Sequence, residues 1–588
     1  MLYLFNKYID HIIKENSLTT SDELRKRVKE HLDKLDKLIL FLIKSYLLLL
    51  DCLSRILFLK SFLKIKNKEI HKLKNLLFLL KFFIKKIDQI FYVVITLHTY
   101  GNEGLEAIKP KYKERCSNNN EKHYKFIVLG SGPSGAVTAL ELVKKYPGKV
   151  LIIEKGNSYN IPSTKHPGDE FIKKWYRGGI NSTYFPDMVA YSSGSCFGGG
   201  SEINSGLYHA PDEDFLERWT NEFGTIDLEA GSMETYIKKV NSLTNLAPND
   251  HDIFTKKFIG GATKAGQKIT DLRRFINASE ERNSMSVTLL KEFISKGGDI
   301  KLDTCVNNIS FKNKRWQVNS EKNKQKIVYS SDYLFLCCGS IFTNDLLLRS
   351  NLINKVRRKI LRKFKFHPMI KIIASYDDEL QELNEDVISH QNIEFFPDFI
   401  IGNATSSIQF LISSFQNNKE IKEYINKNWK KMKVFHGTFS LGSGQIFRIP
   451  FLKEPILSYH INRIEKMFIY EGFSKIISFI KSTGAEMVIP VKDGELRLNE
   501  CKDELTLLGS IKNIKKFQIS SVHILGGVTM GENDNCIVNS YGKVKGHEAI
   551  YVNDSSLINT TLLKNPQGTV MSIAYRNIDN FINNYEIS

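Results

Sequence analysis

Apolar positions fall into two rhythms along the chain, and the switch between them sets out its elements. Phe126-Ile-Val-Leu129 is β-branched or aromatic almost throughout, which predicts a strand buried on both faces. A glycine-rich break follows, then Ala136–Lys145 with helical character, then Pro147-Gly148 as a stop, then a second apolar strand over Val150–Ile153. Asp212–Lys264 is mixed and predicts helices. Ser286–Ser295 predicts a helix ended by Gly297-Gly298, and Ile300–Val306 a strand. Gln317-Val318 and Ile327–Tyr329 suit a hairpin, and Tyr333–Gly339 another buried strand. Over 369–500 the apolar runs recur at Ile370–Ala374, Phe399–Ile401, Ile408–Phe415, Lys433–Phe439 and Gln445–Ile449, before a helix-like stretch at Ile464–Ser482. Those runs predict an antiparallel sheet with helices. Val570–Phe581 predicts a last amphipathic helix, opened by Pro566.

Residues 1–122 read differently, with helical periodicity and no proline before Pro110. Their most apolar stretches, Leu38–Leu63 and Leu76–Leu97, are interrupted by Lys44, Asp51, Arg55, Lys81, Lys85, Lys86 and Asp88. A membrane-spanning helix needs ~18 uninterrupted apolar residues, so none is predicted. Lys7 and Asp10 in the first stretch, with no small-residue cleavage site after it, argue against a signal peptide. The expectation is a bundle of helices docked on the rest of the chain. A basic amphipathic surface touching a membrane peripherally stays open as the alternative.

Length and charge narrow the classes. At 588 residues the chain predicts two or three domains. The net charge is +19, roughly half of it within residues 1–120. No zinc-finger or RNA-binding signature accompanies the spread lysines, so no nucleic-acid partner is expected. The eight cysteines lack metal-ligand spacing, so no metal site is expected; they suit reduced thiols and a cytoplasmic or peripherally membrane-associated protein.

The first chemistry lies in the break after Leu129. Gly130-Ser-Gly132-Pro-Ser-Gly135 places glycines where a tight turn, a close approach to pyrophosphate and close strand–helix packing each require one. The helix N-terminus behind it offers free N–H groups to phosphates. Glu154, at the end of the second strand, stands about 20 residues on, where an acid binds a ribose hydroxyl. A lone GxGxxG is weak, but with strand, helix, strand and acid in order this stretch is expected to bind the ADP half of a dinucleotide.

Further motifs carry a resemblance. Gly194 to Asn204, with Gly198-Gly199-Gly200-Ser201 inside it and Tyr208 four residues beyond, resembles the first signature of the glucose–methanol–choline (GMC) oxidoreductases; Ser195 and Phe197 depart from it. Gly339–Ser350 resembles the second signature, with Asn344 and Asn351 replacing the common Pro and Gly. His367-Pro368 resembles the crossing into the substrate domain, and a structural role is expected of His367. Ser521–Gly531, containing His523, Gly526, Gly527 and Met530, resembles the active-site segment, and Asn565-Pro566 follows it. The His523…Asn565 pair is similar to the cholesterol-oxidase and long-chain-alcohol-oxidase branches.

The resemblance implies an α/β fold: a Rossmann-like FAD-binding domain (121–368 and 511–588), an inserted α+β substrate domain with an antiparallel sheet (369–510, with elements near 212–280), and the N-terminal helical region (1–120). It implies FAD held by Gly130, Gly132, Gly135, Glu154, Gly199, Gly200, Ser201, Asn204, Val306, Asp554 and Asn565. Non-covalent attachment is implied too, since Ile203 stands where covalently linked members have His. The implied reaction is oxidation of an alcohol, a lipid-like one within its range, to a carbonyl. His523 is its general base, with His436 the next candidate, and Asn565 hydrogen-bonds the substrate oxygen. Oxygen, a quinone or a protein accepts the electrons. A lyase of the same fold, or a membrane-associated flavoprotein without alcohol oxidation, is the alternative.

Overall fold

The computed structural model describes residues 2–15, 21–35, 37, 39–45, 47–48, 87–100, 111–112, 114 and 122–587, except 160, 162–166, 247–251, 278, 280, 381–387, 417, 450–451, 493–495, 511–516 and 560–561. Its centre is a parallel sheet in the order Asp299–Lys301, Val150–Ile153, His123–Leu129, Gln325–Leu336, Ile550–Val552. Alternate side chains of each strand enter different cores, as the two-residue repeat requires. Phe126, Val128, Val150 and Ile152 pack with Leu140 and Val143 of helix Pro133–Lys145, and with Ala574, Ile578 and Phe581 of helix Gln567–Ile587. Ile127, Leu129, Leu151 and Ile153 face the main core on the other side. Gln325–Leu336 serves two partners along one edge. Its first half pairs antiparallel with Arg315–Lys322, its last turn parallel with Ile550–Val552. The meander Cys305–Lys312, Arg315–Lys322, Gln325–Leu336 turns twice on Asn-Lys pairs with positive φ at both residues, the geometry that two-residue hairpins prefer.

The second sheet, mostly antiparallel, runs Val189–Tyr191, Ile519–Ser521, Met369–Ser375, Met432–Phe439, Phe399–Ala404, His390–Asn392, Ile269–Asp271. Helix Arg463–Ser482 covers it, capped by Asn462 and Glu465 in a reciprocal box and burying Phe473, Ile476, Ile477 and Ile480. Its outer strands come from segments before 369 and after 510, so the sheet is not the property of residues 369–510 alone.

Two elements differ from the sequence-based expectation. The expected strand Ile300–Val306 is two, Asp299–Lys301 and Cys305–Lys312, because the chain turns at Asp303 (φ 50). The amides of Asp303 and Thr304 bond the carbonyls of Gly156 and Glu154 there. The expected strand at Ile408–Phe415 is a helix, Ile408–Ser413, with Leu411, Ile412 and Phe415 buried, a three-and-four spacing rather than a two.

Helices Leu2–Glu15, Asp22–Leu32 and 87–99 dock on this body. His31 Nε2–H donates to Gly178 O (2.6 Å), Arg27 lies 3.5 Å from Asp169, and Tyr92 OH donates to Ile412 O (3.3 Å). Most of the two apolar stretches at Leu38–Leu63 and Leu76–Leu97 lies outside the described residues. Among the described residues no helix is long and apolar enough to cross a membrane.

Candidate active site

One cavity of about 1490 Å³ runs from the glycine-rich turn to the second sheet, well beyond the ~300–1,000 Å³ of a single small-ligand pocket. At its first end Gly130 takes φ +95, and a Cβ there would stand 2.4 Å from Cys337 O. A Cβ on Gly135 would stand 2.1 Å from Gly130 O, so strand and helix meet at backbone contact. Gly132 differs: a Cβ there would meet nothing within 4 Å, and the same holds for Gly200 across the cavity. The two glycine loops touch, Gly199 against Gly132, and Ser131 Oγ ties them by accepting from Gly198 N (3.1 Å) and donating to Glu154 Oε2 (2.7 Å). Backbone amides, a helix N-terminus and open space in front of two glycines fit a dinucleotide pyrophosphate.

Other expected cofactor residues are placed as follows. Glu154 lines the cavity and accepts from Ser131 N, Ser131 Oγ and Gly156 N; burial pushes its carboxyl up from the usual range. Val306 lines the cavity beyond Glu154, its carbonyl held by Arg349. Asn204 donates to Gln567 Oε1 (2.6 Å), joining the glycine loop to the C-terminal helix. Asp554 is buried, accepting from Gly339 N, Thr343 and Ser556. Ser201 is not part of the cavity wall: it donates to Gly198 O and accepts from Met285 N, which shapes the loop from behind. Ile203 lines the cavity.

At the other end a smaller four-stranded sheet beside the second one brings together side chains distant in sequence. Strands Lys363–Phe366 and Ile524–Leu525 pair with Phe366 opposite Ile524, which sets His367 beside His523, their Nδ1 atoms 3.1 Å apart. Ser521 Oγ holds the corner, accepting from His367 N and donating to His523 O. Asn344, a departure from the signature, explains itself here: with Ser340 it donates to Gly526 O and fixes the turn after His523. Asn565 lines the cavity near His523. Its amide N–H donates to His209 Nδ1 (3.1 Å), and its Oδ1 accepts from Gln391 Nε2 (3.4 Å), so its Nδ2 is left to a ligand.

Sequence reasoning missed His209, Gln391 and Lys371. Gln391 and Lys371 line the cavity with His436, and His209 lies behind Asn565, 356 residues away in sequence. Only the position of His209, immediately after Tyr208 of the first signature, could have flagged it. Burial lowers the His523 imidazole to about 4, with a further push from His436. Burial likewise lowers His436 to about 4 and His209 to about 3, and holds His367 well below its ordinary value. All four are neutral near pH 7, and a neutral imidazole can take a proton.

The GMC oxidoreductase family profiles match residues 124–369 and 456–574. The chain is 24% identical over 472 residues to an uncharacterized GMC-type oxidoreductase, y4nJ, of Sinorhizobium fredii, covering 76% of this chain and 93% of that one. It is 23% identical to the long-chain-alcohol oxidase FAO4A of Arabidopsis thaliana, covering 76% and 67%. Among solved structures, pyridoxine 4-oxidase from Mesorbium loti shares the fold with TM-score 0.60 at 12% identity, covering 78% of this chain and 99% of that one. A formate oxidase of Aspergillus oryzae shares it with TM-score 0.61 at 13%, covering 80% and 100%.

Proposed function

The chain belongs to the GMC oxidoreductase family, with its FAD-binding fold, and from there we propose that it oxidises an alcohol to a carbonyl. The single observation that supports this best is that His523, held from behind by His367, lines one cavity with Asn565 and an open glycine cradle. Bound FAD, held along Gly130–Gly135, Glu154, Gly199–Gly200 and Asp554, supplies the two-electron acceptor. The chain's own part is proton transfer and orientation.

His523 has one nitrogen committed, Nδ1 against His367 Nδ1. Two bare nitrogens cannot bond, so one ring carries the shared proton. If His367 donates it, His523 carries its own proton on Nε2 and cannot act as a base. If His523 donates it, Nε2 is bare and takes the substrate hydroxyl proton. His367 is then the positioning residue that accepts from His523 Nδ1, both from the neutral ring and from the imidazolium that forms. Asn565, its Oδ1 engaged by Gln391, offers Nδ2–H to the substrate oxygen. Relatives named long-chain-alcohol oxidases support an alcohol donor. Ile203 offers no nucleophile to a flavin, which supports non-covalent FAD. Oxygen, a quinone or a protein then takes the electrons, and the docked basic helices are the part suited to a membrane surface.

The test is anaerobic. Long-chain alcohols, sterols and sugars are mixed in turn with the FAD-loaded protein and the flavin absorbance is followed. Bleaching by at least one alcohol, with return of colour on admitting oxygen or a dye acceptor, is the expected result. A flavin that no alcohol reduces, while a dithionite control does, refutes alcohol oxidation.

A further inference from the structure

The cavity wall opposite the glycine cradle holds a cation with no counter-charge among the described residues. Lys371 sits on strand Met369–Ser375, opposite His436 of the neighbouring strand, and both line the cavity. Residues two apart on a strand share a face, so Met369 and Lys371 on one strand and Thr438 and His436 on the next form one patch. Gly402, paired with His436 on the other side, completes it: a Cβ there would stand 2.8 Å from His436 Nε2. Gln391, whose Nε2 donates to Asn565 Oδ1 (3.4 Å), flanks the patch.

Among the described residues Lys371 has no ion-pair or side-chain hydrogen-bond partner. The carboxylates that line the cavity are engaged elsewhere: Glu454 by Lys155 and Arg177, Asp345 by Arg448, Glu170 by Lys174, Glu321 by Lys453, and Glu154 and Asp554 by hydroxyls and amides. Glu202 is held by Ser286 N and Asp303 by Asn157. Desolvation at the wall lowers the proton affinity of the Lys371 ammonium, and no carboxylate among the described residues offsets it. A half-buried ammonium on a cavity wall, with no carboxylate beside it, is a ready counter-charge for a ligand anion. The position is apt for a substrate. Lys371 stands four positions after His367, the neighbour of His523, so at most about 14 Å of chain lies between the two.

Resting on the alcohol-oxidising reading above, we propose that the substrate is an alcohol bearing an anionic group, carboxylate or phosphate, at the end away from the hydroxyl, and that Lys371 binds that anion. The hydroxyl lies at His523 and Asn565, and the anion at Lys371 with His436 and Gln391 beside it. A cationic alcohol is disfavoured by the same residue.

Two measurements keep the two readings apart. The first is calorimetric titration of the FAD-loaded protein with hexanoate and with hexyl phosphate, neither of which has a hydroxyl to oxidise. Binding by the wild type, weakened roughly 10- to 150-fold in Lys371→Met and largely kept in Lys371→Arg, is the expected result. The arm that binds tighter identifies the anion. Equal affinity in wild type and Lys371→Met, or no binding of either anion to the wild type, overturns the proposal; equal flavin content in all variants excludes a folding artefact. The second is anaerobic flavin reduction by 6-hydroxyhexanoate and by hexan-1-ol. The wild type should favour the hydroxy acid in kcat/KM, and the ratio should collapse in Lys371→Met. Anion binding that depends on Lys371 with no alcohol reducing the flavin sinks the alcohol reading and leaves the anion site. Alcohols reducing it with an unchanged ratio in Lys371→Met sinks the anion site and leaves the alcohol reading.

Discussion

Replacing Gly132 separates cofactor binding from folding, which its neighbour Gly130 does not allow. Gly132 has φ −62 and ψ −177, a conformation open to any residue, and a Cβ built there has no neighbour within 4 Å. Gly132→Ala therefore adds no clash to the apoprotein. Restricting the unfolded chain at a compatible site adds about 0.4–1 kcal/mol of stability, so the apoprotein should melt at or slightly above the wild-type temperature. The empty space is where the pyrophosphate is proposed to lie, and filling a packed site costs about 1–3 kcal/mol, roughly a 5- to 150-fold loss in FAD affinity for one added group. Gly132→Val, with two more carbons, should purify colourless. Gly130→Ala is the contrast. It forces an L-residue to φ +95 and drives a Cβ to 2.4 Å from a backbone carbonyl, so the fold itself should fail. The assay is flavin absorbance per protein, fluorescence titration with FAD, and thermal melts of the apo forms. A Gly132→Val protein with wild-type flavin content refutes the placement of the cofactor. An apo Gly132→Ala that melts as low as Gly130→Ala refutes the reasoning from geometry.

Four further outcomes are expected. His523→Ala should slow anaerobic flavin reduction by roughly 10²–10⁴-fold while retaining FAD; reduction at the wild-type rate would move the base to His436. His367→Ala should retain FAD and alter the pH profile of reduction, because the Nδ1 partner of His523 is lost; an unchanged profile would make His367 structural only. Burial holds His523 at about 4 rather than 6.5, so its basic form persists from neutral pH down to about 4, and reduction rates should be flat from pH 8 to 5 and fall below that. An inflection near 6.5 would show a solvated imidazole. Asn565→Ala should cost about 1.5–3 kcal/mol, read as a roughly 10- to 150-fold loss in kcat/KM, since one hydrogen bond to developing charge is lost.

What could be read from the sequence was local, and what could not was assembled across distance. Residues 125–154 were legible because turn, helix start and strand ends are each decided within a few residues, and helix Pro133–Lys145 and strand Val150–Ile153 lie where expected. Asp303 broke an expected strand because its amide bonds Gly156, about 150 residues back, and nothing near it announces that partner. Helix Ile408–Ser413 was misread although its apolar spacing was helical; the surrounding strand-like runs outweighed it. Lys371 was illegible for a different reason. A lysine alternating with isoleucines reads as the solvated face of a strand, and only tertiary structure shows that this face lines an internal cavity. His209 depends on Asn565 across most of the chain.

The docked N-terminal helices have a mechanical consequence. Gly178 O, His31, His98 and the helix that carries Tyr92 form a continuous line, joined by contacts of 2.6 Å and 3.1 Å and ending on Ile412 O. One end is anchored beside the cofactor-side wall, the other on a helix packed against the second sheet. A strut fixed at both ends resists the two halves swinging apart like a clamshell, because any hinge opening must first pull one anchor loose. Both imidazoles of the joint are buried and neutral; His31 gives its Nε2–H to Gly178 O, so a proton added to His31 goes to Nδ1, faces the Nε2–H of His98 and breaks that link, and acid is expected to loosen the joint there first.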